Sequence, residues 1–237
     1  MSTKPHILIL KTGTTNPPVV ERYGDYDDWF QQCLQNHQLD WTVVKVYEGQ
    51  TIPDIVGFDG VMITGSPSSV WEQEDWMVQT IGWLEERVTQ QDIPILAVCF
   101  GHQLLGAALG GTVEPNHQGA ENGTIGVQLN LLGQQDPLFQ GLSETIQVQS
   151  VHKDIVVSLP DRTDTICLGS TTNTVIQALG VGQQIRSVQF HPEIIAPVLR
   201  KLFEVREQQA HVFPSTDGVR ILDNWIHHWI LPSTTVS

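Results

Sequence analysis

The chain has 237 residues, 40% of them hydrophobic, enough for one α/β domain burying about three quarters of its unfolded surface. Twelve Lys and Arg against 26 Asp and Glu give a formal net charge of −14, which repels phosphate backbones and anionic bilayers and argues against nucleic-acid and membrane partners. No apolar run approaches the roughly 20 residues of a membrane span. The N-terminus carries no leader-like segment, and Cys33, Cys99 and Cys167 are too few and too scattered for a disulfide framework, so a cytoplasmic location is expected.

In chain order, His6 to Leu10 reads as a first strand. Lys11 to Gly24, with Pro17 and Pro18, reads as a loop that could shape a pocket mouth, leading to a helix near Asp25 to Gln35. Thr42 to Tyr47 and Gly60 to Thr64 read as strands, and Glu74 to Gln90 as a helix. An apolar strand over Pro94 to Val98 follows, then a helix from His102 to Leu109 that Gly110-Gly111 ends. The alternation predicts a sheet covered by helices on both faces. Beyond it, Thr124 to Leu132, Thr145 to Val151, Ile155 to Ser158, Thr165 to Leu168, Val175 to Ala178 and Ile185 to Phe190 read as extended. Two helices close the chain, at about 194–209 and 218–230, the last with Trp225 and Trp229 on one face. With no repeat, linker or low-complexity tract, 1–237 reads as one domain, its core at about 5–200 and its C-terminal helices, 194–231, packed on that core.

The chemistry concentrates at Pro94 to Gly106, where a buried strand stops at Cys99, turns sharply and enters a helix. Gly101 is expected to serve that tight turn. A cysteine there has its sulfur pushed out at a sheet end beside a helix N-terminus, whose dipole favours the attacking thiolate. Far downstream, Ser187 to Phe190 runs into His191-Pro192-Glu193. The residue before a proline is held extended, so His191 projects from a strand end with Glu193 on the same side. That is a nucleophile, base and orienting-carboxylate set in its cysteine form. A third piece, Phe58 to Trp71, is a strand running into a Gly-Ser-Pro turn that can aim backbone N–H groups at an oxyanion.

With Thr64-Gly65-Ser66-Pro67, Cys99-Phe100-Gly101-His102-Gln103 and His191-Pro192-Glu193 in that order, the chain resembles a class I glutamine amidotransferase domain, of the kind fused to or paired with GMP synthetase. Pro17 to Trp29, Thr64 to Trp76 and Val151 to Val156 look like the stand-alone group, which includes γ-glutamyl peptidases. The resemblance implies a three-layer, flavodoxin-like α/β sandwich around a central, mostly parallel sheet, with extra antiparallel strands. It implies Cys99, His191 and Glu193 as the triad, and an oxyanion hole of the Phe100 N–H with one from Gly65 or Ser66. Ser66 departs from the glycine of GMP-synthetase relatives, which is tolerable if its φ stays negative.

Gln103, His152 and Asp154 match family positions that meet the glutamyl group, whereas His102 reads as structural. Glu121 lacks the basic neighbour of relatives and is set aside. Cys33 and Cys167 read as core, His117 and His211 have no context, and neither the adjacent His227-His228 nor any other spacing suggests a metal. No phosphate loop or other cofactor signature is present. Three functions follow: a glutamine amidotransferase, acting on glutamine and handing ammonia to a separate synthase chain; a γ-glutamyl peptide hydrolase that needs no synthase; or a silent binding module.

Overall fold

The computed structural model describes residues 4–231. In chain order its strands and α-helices are β1 (His6–Lys11), α1 (Pro17–Tyr23), α2 (Tyr26–Cys33), β2 (Asp40–Lys45), β3 (Gly60–Ile63), α3 (Asp75–Gln90), β4 (Ile95–Val98), α4 (Phe100–Ala108), β5 (Thr112–Pro115), β6 (Glu121–Leu129), α5 (Leu131–Gln135), β7 (Thr145–His152), β8 (Asp154–Ser158), β9 (Thr165–Ser170), β10 (Ala178–Val181), β11 (Ile185–Val188), α6 (Ala196–Val205) and α7 (Asp217–Trp225). Nine strands form one sheet in the order β2-β1-β3-β4-β11-β10-β9-β6-β7, and β5 pairs separately with β8. The first five run parallel; from β11 outward every pair is antiparallel.

The parallel half is covered on both faces, and its central strands β3 and β4 are accordingly buried and apolar throughout. Alternate residues go to opposite layers. Ile7, Ile9, Met62, Leu96 and Val98 pack towards Ile221, Leu222 and Trp225 of α7. Leu8, Leu10, Val61, Ile63, Ile95 and Ala97 pack towards α3 and α4 through Met77, Leu84, Leu104 and Leu105. A third cluster joins Val19, Tyr26 and Trp29 of α1 and α2 to Ile194 and to Val198, Leu199, Leu202 and Phe203 of α6. This is the three-layer α/β sandwich with added antiparallel strands that the sequence motifs imply. Among the described residues no helix is long and apolar enough to cross a membrane.

Several element expectations need correction. The Lys11 to Gly24 loop contains α1, whose first turn accommodates Pro17 and Pro18 because the N–H groups they lack have no helical acceptor there. Thr112 to Pro115 is a strand without readable alternation, since three of its four residues are exposed. The Thr124 to Leu132 strand begins at Glu121 and stops at Leu129. Asn130 then accepts from the Gly133 N–H at 2.9 Å and starts a short helix. The Val175 to Ala178 strand lies instead at Ala178–Val181. Gly180 hides it in sequence: a Cβ there would come within 3.2 Å of Ile166 and 3.4 Å of Arg186, so the glycine serves a close approach inside the sheet.

The last helix continues from α7 into a π-helical turn over Ile226–Ile230. Trp225 is buried as expected, and the Trp229 Nε1–H donates to the Gln183 carbonyl at 2.8 Å while Arg186 stacks 5.0 Å over its ring. Arg186 in turn donates to Asp136 at 2.8 Å, with both side chains buried. Asp136→Ala is therefore expected to strand a buried guanidinium and cost about 3–5 kcal/mol in urea unfolding. A loss below about 1 kcal/mol would mean that water replaces the carboxylate.

Candidate active site

Cys99 sits between β4 and α4 with φ +52° and ψ −102°, a left-handed backbone that costs a non-glycine residue about 1–3 kcal/mol. Its surroundings fix it there. The Cys99 N–H donates to Val188 of β11 at 2.8 Å, and the Cys99 carbonyl accepts the first helical bond from Gln103 N–H at 3.0 Å. The strain falls on the cysteine and not on Gly101, which corrects the sequence expectation. Gly101 is needed for packing: a Cβ would lie 2.9 Å from the Ile63 carbonyl oxygen and 3.0 Å from its Cβ.

His191 follows β11, and its N–H donates to Gln149 of β7 at 2.8 Å, which fixes the main chain. Its Nδ1 lies 2.7 Å from Glu193 Oε1, and both residues are almost fully buried. The Cys33 thiol donates to the Glu193 carbonyl at 3.4 Å, so α2 holds this turn from behind. Burial by itself would push the imidazole down; the Glu193 carboxylate and then the Cys99 sulfur outweigh it and lift the pKa from 6.5 to about 10. His191 thus adds stability that is complete below its ordinary 6.5 and is lost as pH rises through about 10. Replacing Glu193 by Gln removes the largest favourable influence and leaves burial. The alkaline limb of kcat/KM is expected to move down by more than a pH unit, and an unmoved limb would separate Glu193 from the imidazole's charge.

The loop after β3 closes the third side. Thr12 Oγ1 donates to the Thr64 and Gly65 carbonyls at 3.0 and 2.9 Å, tying the end of β1 to it. Gly65 has no room for a side chain, because a Cβ would stand 2.8 Å from His191 Cε1 and 3.5 Å from Cys99 Cβ. Ser66 keeps a negative φ, and its hydroxyl accepts from the Ser68 N–H at 3.2 Å. Among the described residues neither the Gly65 nor the Ser66 N–H donates to protein. Phe100 opens α4, where its N–H has no acceptor within the helix.

Cys99, His191, Ser66, Gln103, His152 and Asp154 all border one cavity of about 450 Å³, and Thr14 to Pro17 also line it. The Gln103 Nε2–H donates to the Asp154 carbonyl at 2.8 Å, and the Asp154 carboxylate accepts from the Ser69 hydroxyl. The His152 ring turns away: its Nε2 lies 3.2 Å from Glu121, and both ring nitrogens are closed to solvent.

Glu121, set aside in the sequence, is a buried hub. It accepts from Thr171 at 2.6 Å, Thr174 at 2.8 Å and Gln177 at 2.6 Å. Burial pushes its carboxyl up, but these donors and His152 outweigh it and hold the pKa below the ordinary carboxylate value. The signal that would have found it is the β6–β7 register, which sets Glu121 opposite His152. His102 is fully buried, 2.8 Å from Ser187 Oγ, and burial followed by the charge of His152 pushes its pKa down to about 3. A neutral ring so enclosed serves structure. Among the described residues no three His, Cys, Asp or Glu side chains gather as a metal site.

A cysteine on a strained strand-to-helix turn, beside a buried His–carboxylate pair at the C-terminal ends of parallel strands, is the arrangement that covalent acyl transfer on an α/β fold requires. Residues 19–203 match the family model "Glutamine amidotransferase class-I", and the chain belongs to that family. A glutamine amidotransferase-like protein of Schizosaccharomyces pombe is 29% identical over 213 residues, covering 84% of each chain. The glutamine-hydrolysing GMP synthase subunit of Methanosphaera stadtmanae is 28% identical over 74% of this chain and 87% of its own. The crystal structure of a glutamine amidotransferase from Methylobacillus flagellatus superposes with a TM-score of 0.73 over 95% of both chains, at 19% identity, which is likeness of fold.

Proposed function

We propose that this chain hydrolyses the side-chain amide of glutamine through a γ-glutamyl thioester on Cys99. The observation that carries the reading is the Cys99–His191–Glu193 cluster at the wall of a cavity. With the S–H proton already held by His191, the Cys99 thiolate attacks the amide carbonyl, and the oxyanion takes the N–H of Phe100 and one from Gly65 or Ser66. Each such donor is worth about 3–4 kcal/mol. As the C–N bond breaks, His191 returns the proton to nitrogen and ammonia leaves. Water, giving a proton to the same imidazole, adds to the thioester, and breaking the C–S bond releases glutamate and re-forms the thiol. Gln103 and the Val151–Asp154 wall hold the glutamyl group. Glu193 orients His191 and keeps it charged.

The ammonia acceptor is a separate synthase chain, by analogy with the Methanosphaera stadtmanae relative, whose name makes it one part of a GMP synthase. Three free thiols suit a cytoplasmic setting. A second reading, γ-glutamyl peptide hydrolysis, is favoured by a cavity roomier than glutamine requires. The strained φ of Cys99 speaks against a silent binding module, which gains nothing from it. The test is glutamate release by the purified chain from glutamine and from γ-glutamyl dipeptides. Release from glutamine supports the first reading, and faster release from dipeptides without a partner supports the second. Equal silence of wild type and Cys99→Ala would overturn both.

A further inference from the structure

Among the described residues the guanidinium of Arg206 has no carboxylate partner, in a chain with 26 acidic residues. Arg87, Arg162 and Arg186 each pair with a carboxylate. Arg206, like Arg22, Arg200 and Arg220, has no Asp or Glu within ion-pair distance among the described residues; what sets it apart is its place in the cavity lining, where its Nε–H donates to Asn16 Oδ1 at 3.1 Å. Asn16 begins α1 and Arg206 ends α6, so this one bond ties the two helices where they border the catalytic cavity. Both residues line that cavity, and no hydrogen bond from either Nη group to protein is found among the described residues. Tyr26 lines the same cavity, its phenol raised chiefly by burial and influenced by both the guanidinium and Cys99.

The side of the cavity matters. Arg206 stands on the wall built by α1, α2 and α6, and Ile194, three residues after His191, packs in the same apolar cluster. Cys33 of α2 grips the Glu193 carbonyl there. Gln103 and Asp154 belong to a different wall, formed by α4 and β8. The imidazole returns the proton to the departing nitrogen, so the leaving group lies on the imidazole's side. From this arrangement we infer that Arg206 is a specificity-determining residue that binds a carboxylate carried by the leaving amine. A guanidinium suits this role because its planar fork matches a carboxylate with two parallel bonds. The inference rests on the thioester reading and sharpens its second form: among γ-glutamyl peptides, those whose leaving amine carries a carboxylate are bound most tightly.

The test uses the full chain with Cys99→Ala, so that binding is measured without turnover. γ-Glutamyl-alanine is titrated calorimetrically beside its C-terminal amide and beside glutamine. The acid is expected to bind about tenfold more tightly than the amide, as a charge-assisted pair allows. Adding Arg206→Gln should erase that difference and leave glutamine affinity within about twofold, and Arg206→Lys should restore part of the difference. Equal binding of acid and amide overturns the inference, as does a loss that is equal for all three ligands, which would place Arg206 on the glutamyl group's own carboxylate or in the fold. Turnover by wild type separates the two levels. Hydrolysis of glutamine with no acid-over-amide preference sinks only this inference, whereas no turnover of any substrate sinks the thioester reading beneath it.

Discussion

Cys99→Ala is expected to lower glutamate release from glutamine by at least about 10⁴-fold, since removing the nucleophile eliminates the covalent route and leaves only binding and oxyanion stabilisation. The same substitution is expected to leave the fold standing. The Cys99 side chain is small, and its neighbours are fixed through the main-chain bonds to Val188 and Gln103. Alanine retains the strained φ of +52°, which glycine adopts freely. Cys99→Gly should therefore be as inactive as Cys99→Ala but about 1 kcal/mol more stable in urea titration. An alanine variant with a tenth of wild-type turnover would remove Cys99 from the chemistry. A glycine variant no more stable than alanine would show the strain to be relieved by other means.

Gly65→Ala is the second large effect, and it reaches the site without touching any reacting atom. The new Cβ would stand 2.8 Å from His191 Cε1, closer than such atoms approach. The ring cannot retreat easily, because Glu193 holds its Nδ1 at 2.7 Å and the His191 main chain is bonded to Gln149. Either the imidazole moves off the sulfur or the loop moves off the oxyanion position. A displacement near 1 Å at such a site costs about 10²-fold in kcat. Ser66→Gly, one residue on, should stay within about threefold of wild type, because Ser66 already has an ordinary φ. Full activity in Gly65→Ala would mean that the loop relaxes freely and contributes nothing to alignment. Equal losses in both variants would point to loop flexibility in place of steric exclusion.

The parts of the architecture most legible in the sequence were those with one dominant local cause. The strands Ile95–Val98 and Gly60–Ile63 are buried on both faces and read as continuous apolar runs. The turn at Cys99 and the His191-Pro192-Glu193 corner are short-range geometries, and the register of β11 beside β4 brings their strands together. What was hidden depends on contacts across the fold. α1 looks like a proline-rich loop until Val19 is seen packing with α6. Gly180 looks like a strand breaker until Ile166 and Arg186 are seen crowding it. Gly101 looked like the turn residue, although the unfavourable φ is carried by the cysteine and the glycine admits Ile63. Glu121 carried no local pattern, because its four partners come from β7 and from the stretch between Thr171 and Gln177. Arg206 at a cavity wall was equally invisible, since its meaning arises from Asn16 and from the carboxylates it lacks.

The most direct measurement is mass-spectrometric mapping of the adduct formed with an electrophilic glutamine analogue, alongside His191→Asn. The account predicts a single adduct on Cys99, slowed by excess glutamine and lost in His191→Asn, with Cys33 and Cys167 unmodified. An adduct on either of those thiols in preference to Cys99, or labelling of Cys99 at the same rate without the imidazole, would contradict it.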